Sequence, residues 1–265
     1  MLDADPEIFI MAKPERGGDQ ASLERQLRER TAQLEAVTKE FEQFSHSVSH
    51  DLRAPLRAME GFAQILVEDY GPQLGEEGKR CVDILEASAR KATLLLEDLL
   101  TLSRLFRKPF APAKLDMGAL VAQRREELRA EAGSAKIHID TLPEAWADAA
   151  LIGQLWTILL ENAIKFSRGQ AQPQIEVSGR AEAGRVVYAV GDNGVGFDPK
   201  YVTRLFGVFQ RLHGETEFPG RGIGLAVAKR IALRHGGEIW AEGRPKGGAT
   251  FYFALPKMAE AQKTE

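Results

Sequence analysis

The sequence carries one cysteine, Cys81, among 265 residues, which excludes an intramolecular disulfide framework and fits a reducing compartment. The expected place for Cys81 is a helical core, as a small residue. Neither charge sign is in excess. With 35 basic and 38 acidic residues the net charge is −3, which removes the electrostatic case for a nucleic-acid partner. No apolar run approaches the ~18 residues of a membrane span. The first twenty residues lack the basic head and apolar core of a secretory signal, so a cytoplasmic location is expected. Internal repeats and low-complexity tracts are missing too. What remains is an ordinary globular composition, 44% hydrophobic and 28% charged, long enough for two domains.

Residues 1–21 contain Pro6, Pro14, Gly17 and Gly18, show no period, and read as a tail or the remnant of an upstream module. From Ser22, the expected N-cap, Leu23, Leu27, Arg30, Leu34, Val37, Phe41, Phe44 and Val48 alternate by fours and threes. That is a coiled-coil seam, and residues 22–44 are expected to form a signalling helix. After Val48 the apolar positions are Leu52, Leu56, Met59, Ala63 and Leu66, so two fours fall together. Such a shift locally unwinds a coiled coil. It coincides with His50 and with Pro55, which removes a backbone hydrogen bond and bends the axis. His50 lies roughly 200° around the helix from Val48 and is expected to face away from the seam.

Gly71-Pro72 and Gly75 mark a turn. A second amphipathic run, Cys81, Leu85, Ser88, Ala92, Leu95, Leu99, Leu102 and Phe106, ends before Pro109. Residues 45–108 are therefore expected to form a helical hairpin. Alone it leaves an apolar stripe in water, and two copies would bury it in a dimeric four-helix bundle, so a homodimer is expected. Residues 109–112 look like a hinge.

Residues 113–258 change character. Their pattern predicts a helix over 116–129, a strand over 136–140 and a helix over 147–166. Strands over 174–180 and 186–190 would form a hairpin turning at Gly184. A helix over 222–234 would end at Gly236-Gly237, followed by strands over 238–241 and 250–255. Residues 259–265 read as a tail. The fold class is multidomain α+β: a helical hairpin followed by an α/β sandwich, with helices on one face of a mostly antiparallel sheet.

Four stretches carry chemistry. Ser49-His50-Asp51-Leu52-Arg53-Ala54-Pro55-Leu56 places an imidazole beside a carboxylate. On the helix over 147–166, Asn162 and Lys165 project together, three apart. An amide oxygen can ligate magnesium and a lysine can sit against phosphate. Asp192-Asn193-Gly194-Val195-Gly196 offers an acceptor for an adenine amino group and a backbone that can approach a ligand, although Asp-Asn-Gly is also an ordinary hairpin turn. Gly220-Arg221-Gly222-Ile223-Gly224-Leu225 opens a helix whose free amides suit a polyphosphate. It is neither a dinucleotide-fold signature nor a phosphate loop with its lysine. Residues 206–219 lie between the two glycine boxes and suit a flap over a nucleotide, with Arg211 a candidate phosphate contact. His138, His213 and His235 read as surface residues rather than ligands.

Taken in order, these stretches resemble the boxes of a sensor histidine kinase. Residues 49–56 resemble the phosphoacceptor box, 156–167 the asparagine box, and 192–196 the first glycine box. Residues 206–209 resemble the phenylalanine box, 220–225 the second glycine box, and 247–251 the closing glycine-threonine element. The wording around His50 is similar to the phytochrome-like, soluble-sensor branch, although no chromophore domain is present here. The resemblance implies a dimerisation and phosphotransfer hairpin joined to a Bergerat-type ATP-binding domain using ATP and Mg2+. It implies that His50 takes a phosphoryl group, with Asp51 holding the imidazole. Asn162 would ligate the metal, Lys165 contact phosphate, and Asp192 read the adenine. Phe166, Gly194, Gly196, Phe209, Arg211, Gly220, Arg221, Gly222, Gly224, Leu225 and Thr250 would complete the nucleotide site. The partner implied is the receiver domain of a response regulator, and the sensor module is absent or separate.

Three positions depart from the family pattern. Ile158 stands where a polar residue is common four before Asn162, Arg221 where Thr or Ser is frequent, and Ala54 where Thr or Asn is common four after His50. Ala54 cannot position a water, so weak phosphatase activity is expected. Two rivals remain: a catalytically weak nucleotide-binding scaffold, and a gyrase- or chaperone-type ATPase, which would carry a water-activating Glu where Ile158 stands. Glu161 is expected to point elsewhere on the helix.

Overall fold

A computed structural model describes residues 16–104, 110–214, 217–218 and 220–257. It opens with a helical hairpin, α1 (Arg16–Tyr70) and α2 (Gly75–Arg104). Helix α1 already includes Arg16, so Ser22 lies inside it and does not cap it. The side chains of Leu23, Leu27, Leu34 and Phe41, and of Leu99, Leu102 and Phe106, lie outside the described residues. Between the helices small residues permit close approach: Ala63, Val82 and Ala89 are buried, as are Ser49 and Leu100. Thr93 Oγ1 donates to Glu60 Oε1 at 3.3 Å across the pair.

The hairpin's remaining apolar stripe is open. Leu52, Met59, Phe62, Ile65, Ile84 and Leu85 are all exposed. Cys81 is exposed as well, contrary to the expectation of a core position, because a single hairpin supplies nothing to cover that stripe.

The C-terminal unit holds β1 (Ala113–Leu115), α3 (Met117–Glu127), α4 (Arg129–Ala132), β2 (Lys136–Ile139) and β3 (Ala145–Ala147). Then come α5 (Ala149–Ser167), β4 (Gln174–Glu182) and β5 (Arg185–Asp192). A 3₁₀ turn at Pro199–Tyr201 leads to α6 (Val202–Leu205), and α7 (Gly224–Arg234), β6 (Glu238–Gly243) and β7 (Ala249–Pro256) close the unit. The five-stranded sheet runs β2-β4-β5-β7-β6, with only β2 and β4 parallel. Gly184 makes the β4–β5 turn at φ +77°. The sequence pattern misses the short antiparallel pair β1–β3, which also delays the start of α5 to Ala149.

Helix α5 is the keel of this unit. Asp148 caps it, accepting from the Ala150 and Leu151 amides. Leu151, Leu155, Leu159, Ala163 and Ile164 are buried on it. Trp156 is fully buried, with ring centroids 4.9 Å from Phe253 and 5.7 Å from Tyr188, both edge-on. Tyr188 in turn donates its hydroxyl to the Pro143 carbonyl at 2.7 Å. Since Trp156 fills the joint between helix and sheet, Trp156→Ala is expected to cost about 3–5 kcal/mol. A drop in the urea midpoint of the unfolding transition measures it, and an unchanged midpoint would contradict this packing.

Candidate functional site

His50 projects from α1 with its side chain 75% exposed, and its Nδ1 lies 3.1 Å from Asp51 Oδ1. The expected outward orientation holds. With Nδ1–H donating to the carboxylate, Nε2 keeps its lone pair and faces solvent.

The second site is a cavity of about 370 Å³ between the end of α5, the turn after β5 and the segment leading into α7. Asn162, Lys165, Phe166, Asp192 and Gly196 line one side. Arg211, Gly220, Arg221, Gly222, Gly224 and Leu225 line the other. Phe197, Ala249 and Phe251 supply apolar wall.

Asp192 sets the electrostatics. Its Oδ1 accepts from the Gly194 amide at 2.9 Å. Its Oδ2 is buried and has no hydrogen-bond partner among the described residues. Burial pushes its pKa up to about 6, against the Gly194 and Ala249 amides, which lower it. The glycines beside it are obligatory. Gly196 sits at φ +61°, and a Cβ there would collide with the Arg244 and Gly248 carbonyls. Gly222, at φ +75°, would drive a Cβ into the Gln210 carbonyl oxygen at 2.8 Å. Lys165 faces the same cavity with Nζ 4.3 Å from the centre of the Phe166 ring. Burial, and then the nearby Arg211, hold its pKa below the ordinary lysine value.

Not every expected site residue lines this cavity, and some that do are also held elsewhere. Gly194 is buried against the Phe166 carbonyl and does not line the cavity. Thr250 lies outside it also, because strand alternation gives the cavity its neighbours Ala249 and Phe251. Phe209, at φ +60°, lines a separate cleft against Ala87, Leu94 and Leu95 of α2. Arg211 lines the cavity, but its guanidinium donates to the Gly220 and Phe218 carbonyls, bracing the flap from within. Arg221 is also near α2, with Nη1 4.0 Å from Glu97 Oε2.

Glu161 lines the cavity rather than pointing elsewhere, with its pKa raised by burial and by Glu131. Ile158 lines it as well. His138 is on the surface beside Asp140, as expected. His213 is not a bare surface residue: it lines the cavity, 3.0 Å from the Gly196 carbonyl oxygen and packed on Phe166 and Phe218. His235 is buried. No residue pattern distinguished these two histidines from His138, since each stands alone in its stretch.

Comparison with known proteins agrees with this geometry. Residues 42–105 match the family model of the His Kinase A (phospho-acceptor) domain, and residues 147–259 match that of the histidine kinase-, DNA gyrase B-, and HSP90-like ATPases. The chain belongs to the sensor histidine kinases. It is 34% identical to phytochrome-like protein Cph1 of Synechocystis over 84% of this chain and 30% of that protein. It is 31% identical to adaptive-response sensory-kinase SasA of Prochlorococcus marinus over 88% of this chain and 64% of that one. The solved structure of full-length ShkA in complex with AMPPNP is similar at a TM-score of 0.57 and 26% identity, covering 82% of this chain and 46% of that chain. The chain thus spans under a third of Cph1 and under half of ShkA. Among the described residues no helix is long and apolar enough to cross a membrane.

The buried Asp192 carboxylate of this kinase domain has a cost that can be measured. Between about pH 4 and 6 the folded state holds a proton on Asp192 that the unfolded chain has lost. Stability therefore falls as pH rises through that window, and the full penalty is present at pH 7. Asp192→Asn, which keeps the acceptor for Gly194, is expected to stabilise the nucleotide-free chain by about 1–3 kcal/mol at pH 7. Most of that gain disappears by about pH 4. Denaturant unfolding at the two pH values tests this, and a destabilised variant at pH 7 would contradict it.

Proposed function

We propose that the chain transfers the γ-phosphoryl group of ATP to His50 and then passes it to an aspartate on a response-regulator receiver domain. One observation carries the nucleotide half: Asp192, whose buried Oδ2 has no hydrogen-bond partner among the described residues, lines a glycine-walled cavity. An adenine amino group is a fitting donor for it. Lys165, the amides around Gly222 and the N-terminus of α7 border the same cavity and suit a polyphosphate. The AMPPNP bound to ShkA supports the same ligand class here.

In the transfer, the lone pair on His50 Nε2 attacks the γ-phosphorus in line. A nitrogen–phosphorus bond forms, the bond to the β–γ bridging oxygen breaks, and ADP leaves with that electron pair. The Nδ1 proton stays shared with Asp51, which offsets the charge growing on the ring. Asn162 would hold Mg2+ through its amide oxygen, and the ion would supply charge neutralisation on the phosphates. Little covalent work falls to the protein, so positioning decides the rate. Ile158 fills the place of a water-activating acid with an apolar wall, which favours transfer to His50 over hydrolysis.

The exposed stripe of Leu52, Met59, Phe62, Ile84 and Leu85 favours a second copy of the chain as its cover, giving a homodimer built on a four-helix bundle. An upstream sensor would act through the α1 coiled coil in a cytoplasmic setting. Incubation with γ-labelled ATP is expected to give acid-labile, base-stable label that His50→Gln removes; label persisting in that variant would refute the assignment. Asp192→Asn is expected to abolish nucleotide binding in calorimetry while the chain still sediments as a dimer. Retained binding would remove Asp192 from the adenine site.

A further inference from the structure

The segment between hairpin and kinase domain is fastened to the domain by groups that the transfer chemistry does not use. The Ala111 amide donates to Asp148 Oδ2 at 3.1 Å. The Phe110 ring meets the His235 ring edge-on, with centroids 4.8 Å apart at 73°. The Arg234 guanidinium stands 5.7 Å from the centre of the Phe110 ring.

Behind this contact His235 is only 8% exposed. Its Nε2 accepts from the Asp148 amide at 3.1 Å, and its Nδ1 lies 2.8 Å from the Ile231 carbonyl oxygen. An acceptor at Nε2 requires the proton on Nδ1, which donates to Ile231. The ring is neutral and both nitrogens are used. Burial holds its pKa below the ordinary histidine value, in keeping with that state.

Asp148 divides its carboxylate. Oδ1 takes the Ala150 and Leu151 amides at the start of α5, and Oδ2 takes the linker. Burial alone would raise its pKa, but the Leu151, Ala111 and Ala150 amides hold it below the usual value. The linker is therefore tied to the first turn of the helix whose last turns carry Asn162 and Lys165. None of Phe110, Asp148 and His235 lines the cavity.

We infer that Phe110, Asp148 and His235 form a latch that fixes the linker to the kinase domain and thereby positions that domain for its approach to His50. The inference rests on the transfer reading above. With the latch made, the chain leaving the hairpin is anchored to the domain at Phe110 and Ala111. With it broken, the first anchored point moves on to Ala113, where β1 begins. A longer tether lowers the effective concentration of the bound triphosphate at the imidazole, and the lost anchor removes orientation. Asp148 and His235 are positioning residues and touch no reacting atom.

Phe110→Ala is the cleanest break, because the ring is 41% exposed and its loss opens no core. Three readouts on the full chain test it: hydrogen exchange at the Ala111 amide, KM for ATP, and the rate of label on His50. We expect the wild type to protect the Ala111 amide and to label. Phe110→Ala should lose that protection and label roughly threefold more slowly, with KM for ATP unchanged. Phe110→Tyr, which keeps the ring, should behave as wild type. An unprotected Ala111 amide in the wild type, or an unchanged labelling rate in Phe110→Ala once protection is lost, overturns the latch and leaves the kinase assignment standing. A wild type that takes no label while Ala111 is protected overturns the kinase assignment itself, and the positioning role with it.

Discussion

The docking of α5 against the five-stranded sheet is the constraint on which the rest depends. A helix whose buried residues include Leu151, Ile152, Leu155, Trp156, Leu159, Leu160 and Ile164 has almost no freedom to rotate. Trp156 pins it against Tyr188 and Phe253. Because the helix cannot turn, its polar end must face the cavity, and Glu161, Asn162 and Lys165 arrive there together. Its other end is fixed by the same rigidity, so the Asp148 cap, His235 and the linker meet at a defined place. One packed helix thus sets both the nucleotide site and the point from which the domain is held.

The site is built from choices that do not favour stability. A carboxylate is left half-satisfied in a buried place, and glycines hold backbone conformations that L-residues resist. Lys165 is partly desolvated beside Arg211. Each feature becomes favourable once a ligand of opposite character enters: a donor for Asp192, anionic oxygens for Lys165 and the amides near Gly222. The sheet and α5 carry the stability that tolerates them. The hairpin shows a related economy. Its contact uses small residues such as Ala63 and Ala89, and its large ones, Met59 and Phe62 among them, are left for a further surface to cover.

Much of this was legible in the sequence, for physical reasons. Long periodic runs give α1, α2 and α5, and alternation bounded by Gly184 gives the β4–β5 hairpin. His50 could be set outward because helical rotation is regular. The boxes around Asn162, Asp192 and Gly222 were visible because glycine and polar residues interrupt apolar patterns. The remainder was hidden by length or by three-dimensional meeting. Strands of three residues, β1 and β3, carry no period. The closing glycine-threonine element points to Thr250, yet its neighbours Ala249 and Phe251 line the cavity, since register is set by the partner strand. His213 and His235 looked alike in sequence. Only the fold puts one against Phe166 and the other under Asp148, and only the fold turns Arg211 back on its own flap.

The central claim is that the free carboxylate oxygen of Asp192 awaits a base donor. Carbon-13 NMR of the labelled Asp192 carboxyl, titrated with and without a saturating non-hydrolysable adenine nucleotide, tests it most directly. The account predicts titration at about pH 6 in the free chain. With nucleotide bound, the carboxylate should stay ionised through that range, toward ordinary carboxylate values. A titration curve unmoved by saturating nucleotide would contradict the account.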